Sequence, residues 1–349
     1  MGKKKKLIGL VALMALVMAL GMTTPDGTRS VRVTYKLPVT YGLGVHYSLR
    51  LGERVVDPDS VTVSIASIDT ALFSASKDGA ITLTVDDTVG TTYLWSDGAT
   101  IKDRTGLNPG TYSVTVTKGS ASNSATAIVP ELFPATVLKH AYLAELPYLN
   151  YSVSGPDTLT DKWYTVTKND SVEQTTGANR PFYTSGSLLF DSAQWFGGTY
   201  SNVDYITATS RYTMAVKVKF ELFSTIQRIL NVSSSGPERN SIGVSSNNMF
   251  CFSLYSGATH YSKSFDTPVA DTYYSAICVN DSLVPSFFVN NVTQTGTQDL
   301  SFGAAYTFVI GSTSIETQPI KGNIKAILLF NRVLTTNERT KLNTWLQNY

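Results

Sequence analysis

The stretch Asp191 to Tyr205 reads DSAQWFGGTYSNVDY and gathers Trp195, Phe196, Tyr200, Asn202, Asp204 and Tyr205 within fifteen residues. Aromatic rings stack on the C–H faces of sugars, and amides and carboxylates beside them catch hydroxyls, so this mixture suits recognition of a carbohydrate. A second cluster, SGATHYSKSFD, puts His260 and Tyr261 on what reads as a hairpin tip. The competing use of Trp195 and Phe196 is plain packing over a sheet edge, which occupies most aromatics in such folds. Asp191 and Asp204 are the acids that could hold calcium together with loop carbonyls, although no D-x-D-x-D loop accompanies them.

Other chemistries lack their residues. Glycoside hydrolysis needs two carboxylates about 5 to 9 Å apart, which on a strand means acids at alternate positions facing one side. The acids here, among them Glu221, Asp266, Asp271, Asp281 and Glu316, stand singly in turns. The only histidines are His46, His140 and His260, and no G-x-S-x-G elbow supplies a serine nucleophile. The glycine-rich FGGTY is followed by neither a lysine nor a helical pattern, so it does not read as a phosphate cradle. The expectation is therefore a protein that is not an enzyme and that needs no cofactor beyond calcium. A glycoside hydrolase is the alternative.

The elements that must position these residues are β-strands. Only 15% of the 349 residues are charged, while 19 tyrosines and 15 phenylalanines accompany abundant Ser, Thr and Val, a composition that favours pleated, half-buried segments. Formal net charge is +2, but four positive charges are the run Lys3 to Lys6, so the body carries −2 and offers no basic stripe for nucleic acid. Residues 1–22, MGKKKKLIGLVALMALVMALGM, have the grammar of an export signal, with Ala19 and Gly21 placed for a cut before Met22. The same apolar run, residues 7–22, also reads as a hydrophobic helix retained in a membrane, although it falls short of the roughly 20 residues that span a bilayer comfortably. Cys251 and Cys278 lie in strand-like segments, as two buried thiols or as a disulfide.

Along the chain, residues 23–67 alternate apolar and polar with period two and form a β-rich N-terminal region. Residues 68–131 contain four short β runs parted by Gly, Asp and Asn turns, at the spacing of a small sandwich. Trp95 has the position of a core tryptophan, and Asn108-Pro109-Gly110-Thr111 turns the chain into the strand that begins at Tyr112. This segment resembles a SprB-type repeat, an immunoglobulin-like module of bacterial surface adhesins. The likeness rests on Gly79-Ala80-Ile81, Tyr93, Trp95-Ser96-Asp97-Gly98-Ala99-Thr100, Leu107 and Gly110-Thr111-Tyr112. The family's frequent cysteines are missing, with Phe73 and Ser122 in those neighbourhoods. Pro130 and Pro134 mark a boundary.

Residues 132–349 hold about nine further β runs with short polar turns, the pattern of two packed antiparallel sheets. The last sixteen residues, LTTNERTKLNTWLQNY, combine a capping-box start with Leu342, Trp345 and Leu346 at helical spacing. The strand SLLFD and the closing GNIKAILLFNRVLTTNERTKL resemble the laminin-G-like or concanavalin-like jelly-roll family over about 145–349, most closely at Leu188 to Asp191 and Gly322 to Glu338. The fold class expected is all-β, an immunoglobulin-like sandwich plus a concanavalin-like jelly roll with an N-terminal hydrophobic helix and a short C-terminal one. That jelly roll hosts lectins, adhesion modules, structural decorations and glycosidases alike. The functional expectation is a surface-displayed, extracellular adhesin that recognises a glycan or a host or cell-surface receptor, as a homo-oligomer or alone. A bacteriophage virion component, such as a spike, fibre or capsid decoration used in host attachment, is the alternative from another class.

Overall fold

The structure, a computed structural model, describes residues 60–349 apart from 155–156, 192, 199–205, 208, 222–225, 234–238, 257–258, 267, 298–307 and 313–318. The expectations for residues 1–22 and 23–59, and for Tyr200, Asn202, Asp204 and Tyr205, fall outside the described residues. What is described is all-β with one α-helix, Thr336–Asn348, near the C-terminus. Among the described residues no helix is long and apolar enough to cross a membrane.

These residues form two compact units, the smaller made of residues 60–66, Thr82–Asp103 and Tyr112–Ala127, the larger of Ser67–Ile81, Arg104–Thr111 and Ile128–Tyr349. In the smaller unit Thr91–Trp95 pairs antiparallel with the stretch ending at Lys118. Alternation along that stretch buries Val114 and Val116 and leaves Ser113 and Thr115 to meet Thr126 and Ser124 on the other face at 2.9 and 3.2 Å. Trp95 is buried, and its indole N–H donates to the Ile101 carbonyl at 2.8 Å, which satisfies its one polar group.

The larger unit is a sandwich. In its first sheet the strand Arg211–Phe220 pairs with Tyr273–Asp281 on one side and Lys321–Phe330 on the other; Pro285–Val289 and Leu138–Leu143 extend it outward. The second sheet runs through Ser171–Glu173, Phe196–Gly198, Phe308–Ile310, Gln227–Ser233, Arg239–Val244, Phe250–Ser256 and Thr259–Phe265. The strand Ser187–Asp191 pairs with Lys321–Phe330 and, through Phe182–Thr184, leads hydrogen bonding to Asp157–Tyr164 beside Ser171–Glu173, so the two sheets join at one edge.

Period-two alternation decides which residues fill which core. On Arg211–Phe220 the residues Tyr212, Met214, Val216, Val218 and Phe220 enter the core between the sheets, where they meet Ile242, Phe252 and Leu254 from the second sheet. The residues between them face the other way: Ala215 joins Phe330, Leu342, Trp345 and Leu346 in a second core under the helix. Thr213 there donates to the Arg332 carbonyl and accepts from Leu334 N–H, and Lys217 donates to the Gln347 carbonyl at 3.3 Å. That last bond brings a cation to the negative end of a helix whose own last turn has none. At the other end Thr335 and Glu338 close a reciprocal capping box, and Arg332 grips Glu338 with both guanidinium nitrogens, which holds that carboxyl down at about 2.

Cys251 and Cys278 are free thiols, so the disulfide alternative is corrected. They belong to different sheets, and burial pushes the Cys251 thiol up to about 12.

Candidate functional site

The outer face of the second sheet brings together what lies far apart in the chain. Phe196, Phe308, Leu230, Val232, Ile242, Phe252 and Leu254 point into the core, so their neighbours point out. Gly197, Val309, Asn231, Ser241, Ser253 and Ser262 therefore stand in register on that outer face, one from each of six adjoining strands. Five inter-strand steps make this row about 24 Å wide. Its centre is buried, at 1% exposure or less for Asn231, Ser241 and Ser253, and its ends emerge at Ser262 and at Trp195.

Next to it runs Arg228, Gly243, Cys251 and Ser264, again in register. Gly243 is required by close approach: a Cβ there would stand 2.0 Å from the Gln227 carbonyl oxygen, beside an irregularity in the pairing. On the other side Tyr255 and His260 lie directly opposite one another, with ring centroids 4.5 Å apart. The face is thus lined by hydroxyls, an amide and a guanidinium, with an aromatic pair at its margin. The Ser253 hydroxyl is buried and has no hydrogen-bond partner. A buried polar atom left in that state costs on the order of 1–3 kcal/mol.

At the open edge of the face lies a groove of about 560 Å³, lined by His260, Tyr261, Ser262, Lys263, Leu283, Val284, Pro285 and Thr297. Its far wall is the turn between Tyr273–Asp281 and Pro285–Val289. Ser282 and Leu283 both take left-handed backbone there (φ 53° and 70°), as a tight hairpin of this hand demands. Asn280 holds the turn: its side-chain oxygen accepts from Leu283 N–H at 3.0 Å, while its amide donates to the Ser210 and Thr207 carbonyls at 2.9 and 3.2 Å. A bulky side chain held at positive φ is strained, and the Asn280 bonds hold the turn against that strain, with Val284 in the wall at 63% exposure.

Of the residues expected to bind, His260 and Tyr261 line this groove, Tyr261 also packing on the inter-sheet core. Trp195 lies on the same sheet face at its opposite end. Its ring is laid over Gly197, where a Cβ would come within 2.6 Å of it, and its indole N–H is buried without a partner. Phe196 is corrected: it is fully buried between Phe190 and Trp163, because alternation sends it inward when Trp195 goes outward. Asp191, expected with Asp204 as a calcium ligand, is exposed and sits 3.5 Å from Lys321, its partner in register; Asp204 and its loop lie outside the described residues.

Sequence reading missed Ser241, Ser253, Lys263 and the turn residues Leu283 to Pro285. The serines did leave a signal, because CFSLYS places Cys251, Ser253 and Tyr255 alternately with Phe252 and Leu254, and HYSKSF places His260, Ser262 and Ser264 alternately with Tyr261, Lys263 and Phe265. The turn left none, since Leu at positive φ is read by no turn rule. A further groove of about 600 Å³ beside the C-terminal helix involves Trp345, Lys77 and Glu145. Its groups are engaged already: Trp345 donates to the Ser76 carbonyl, and Lys77 pairs with Glu145.

No protein-family model matches the chain, and no curated protein matches it. Solved structures do. Trypanosoma rangeli sialidase in complex with the inhibitor DANA is 16% identical with a TM-score of 0.41, over 56% of this chain and 32% of that one. Domain 4 of AbnA, a GH43 extracellular arabinanase from Geobacillus stearothermophilus, in complex with arabinotriose, is 16% identical with a TM-score of 0.38, over 59% of this chain and 98% of that one. A SAP-like pentraxin from Limulus polyphemus is 16% identical with a TM-score of 0.30, over 38% of this chain and 69% of that one. The chain thus spans about a third of the length of the sialidase. The expectation that the chain is not an enzyme is corrected by these matches, since a sialidase and part of an arabinanase are among the structures it is similar to.

Proposed function

We propose that the larger unit binds carbohydrate at the groove beside His260, at the open end of the serine row. The observation that carries this reading is the groove itself, where His260, Tyr261, Ser262 and Thr297 stand beside the apolar wall of Leu283, Val284 and Pro285. Hydroxyls at Ser262 and Thr297 beside an aromatic pair and an aliphatic wall are what a sugar requires: donors and acceptors for its hydroxyls, and apolar surface for its C–H face. The laminin-G-like likeness of residues 145–349 and the SprB-like likeness of residues 68–131 belong to the same proposal, as does export or anchoring through residues 1–22.

The experiment is a glycan array probed with the full chain and with His260→Ala. Retention of a defined set of glycans by the wild type, lost in the variant, supports the reading. An array on which no glycan is retained, or on which the variant keeps every hit, contradicts it.

A further inference from the structure

The groove's charge is one-sided. Among its described lining residues are Lys263 and His260 and no carboxylate. Lys263 makes no ion pair among the described residues, and the two described acids that lie nearest to Lys263 and Leu283 in sequence have other partners. Asp266 accepts from Ser264 at 2.7 Å, and Asp281 pairs with Arg211 at 2.7 Å. The denser lysine cluster around the Tyr273 ring differs in this respect. There Lys217 and Lys325 donate to main-chain oxygens of Gln347 and Tyr349, and Lys219 stands 3.7 Å from Asp271. Lys263 is therefore the lysine that lines a ligand-sized space with no group of opposite sign among the described lining residues.

We infer that the groove takes an anionic carbohydrate, one bearing a carboxylate or sulfate, and that Lys263 is the residue that selects for the charge. This rests on the carbohydrate reading above and adds the substrate class to it. Leu283, Val284 and Pro285 give the ring a dry wall, Ser262 and Thr297 supply hydroxyl partners, and Lys263 meets the anion at the groove's edge. A charge-assisted hydrogen bond of that kind is stronger than a neutral one. It also distinguishes a charged sugar from its neutral counterpart, because the neutral sugar leaves the ammonium without a partner once water is displaced.

The test uses the full chain at physiological ionic strength with three probes: polygalacturonate for carboxylate, dextran sulfate for sulfate and unmodified dextran as the neutral polymer. Binding of at least one charged polymer is expected, with dextran bound at least about tenfold more weakly. Lys263→Gln is expected to weaken the charged interaction by about tenfold with an unchanged melting temperature. Lys341→Gln, on the exposed side of the helix, is expected to leave it unchanged, which separates the groove from general attraction to a cationic protein. Equal affinity for charged and neutral polymers, or wild-type affinity in Lys263→Gln, would overturn the selection for charge while leaving carbohydrate binding intact. Retention of glycans on the array that are all neutral would also overturn it, and an array without any hit removes the carbohydrate reading itself.

Discussion

Trp195 and His260 lie at opposite ends of one face of the same sheet, joined by a row that runs from Gly197 under the Trp195 ring to Ser262 beside His260. The two aromatic clusters that stand out in the sequence are thus parts of one surface. What separates them is a buried polar floor, and that floor makes claims that can be measured.

The first concerns Ser253. Its hydroxyl is buried with no partner, so Ser253→Ala removes a polar atom that folding leaves unsatisfied. The variant should be as stable as the wild type or more stable by about 1 kcal/mol. Urea unfolding of the two proteins checks this. A loss of stability of more than about 1 kcal/mol would mean that the hydroxyl has a structural partner.

A second concerns the turn that walls the groove. Asn280 is buried and makes three hydrogen bonds that fix Leu283 and the Thr207–Ser210 loop, so Asn280→Ala should cost about 2–4 kcal/mol. Leu283→Gly relieves positive φ and should be neutral or stabilising by up to about 1 kcal/mol. Thermal unfolding of both variants separates the effects, and a strongly destabilised Leu283→Gly would show that packing of the leucine outweighs its backbone strain.

The third is a pH dependence. His140 is buried, with Asp170 at 3.4 Å, and burial lowers its pKa below 6.5 despite the opposing pull of that carboxylate. The unfolded chain takes up a proton at about 6.5 and the folded chain resists it. The histidine's contribution is therefore fully present above about pH 6.5 and is lost as pH falls from there to the depressed folded value. His140→Gln should flatten the difference in stability between about pH 7.5 and pH 5.5. Equal slopes in wild type and variant would contradict it.

What could be read from the residues alone was what local patterning dictates. The Thr335–Glu338 capping box and the helical spacing of Leu342, Trp345 and Leu346 sufficed to place the helix, because a cap and an apolar stripe are short-range features. Alternation placed the strands for the same reason. It also contained the inward turn of Phe196 next to an outward Trp195, which a reading by residue type alone overlooked. The groove was not legible, because its two walls, around Lys263 and around Val284, belong to strands of different sheets that do not pair with one another. Nor was the in-register serine row, since register across six strands is set by pairings between distant segments.

The central claim is that the sheet face beside His260 is where carbohydrate binds. The measurement that bears on it most directly is titration calorimetry of the strongest glycan-array ligand against the wild type, Tyr255→Ala and His260→Ala, each shown to fold by circular dichroism. Loss of affinity of at least about tenfold in both variants is expected, as for removal of an aromatic pair that contacts a sugar. Undiminished affinity in both, with the fold intact, would place binding elsewhere on the molecule.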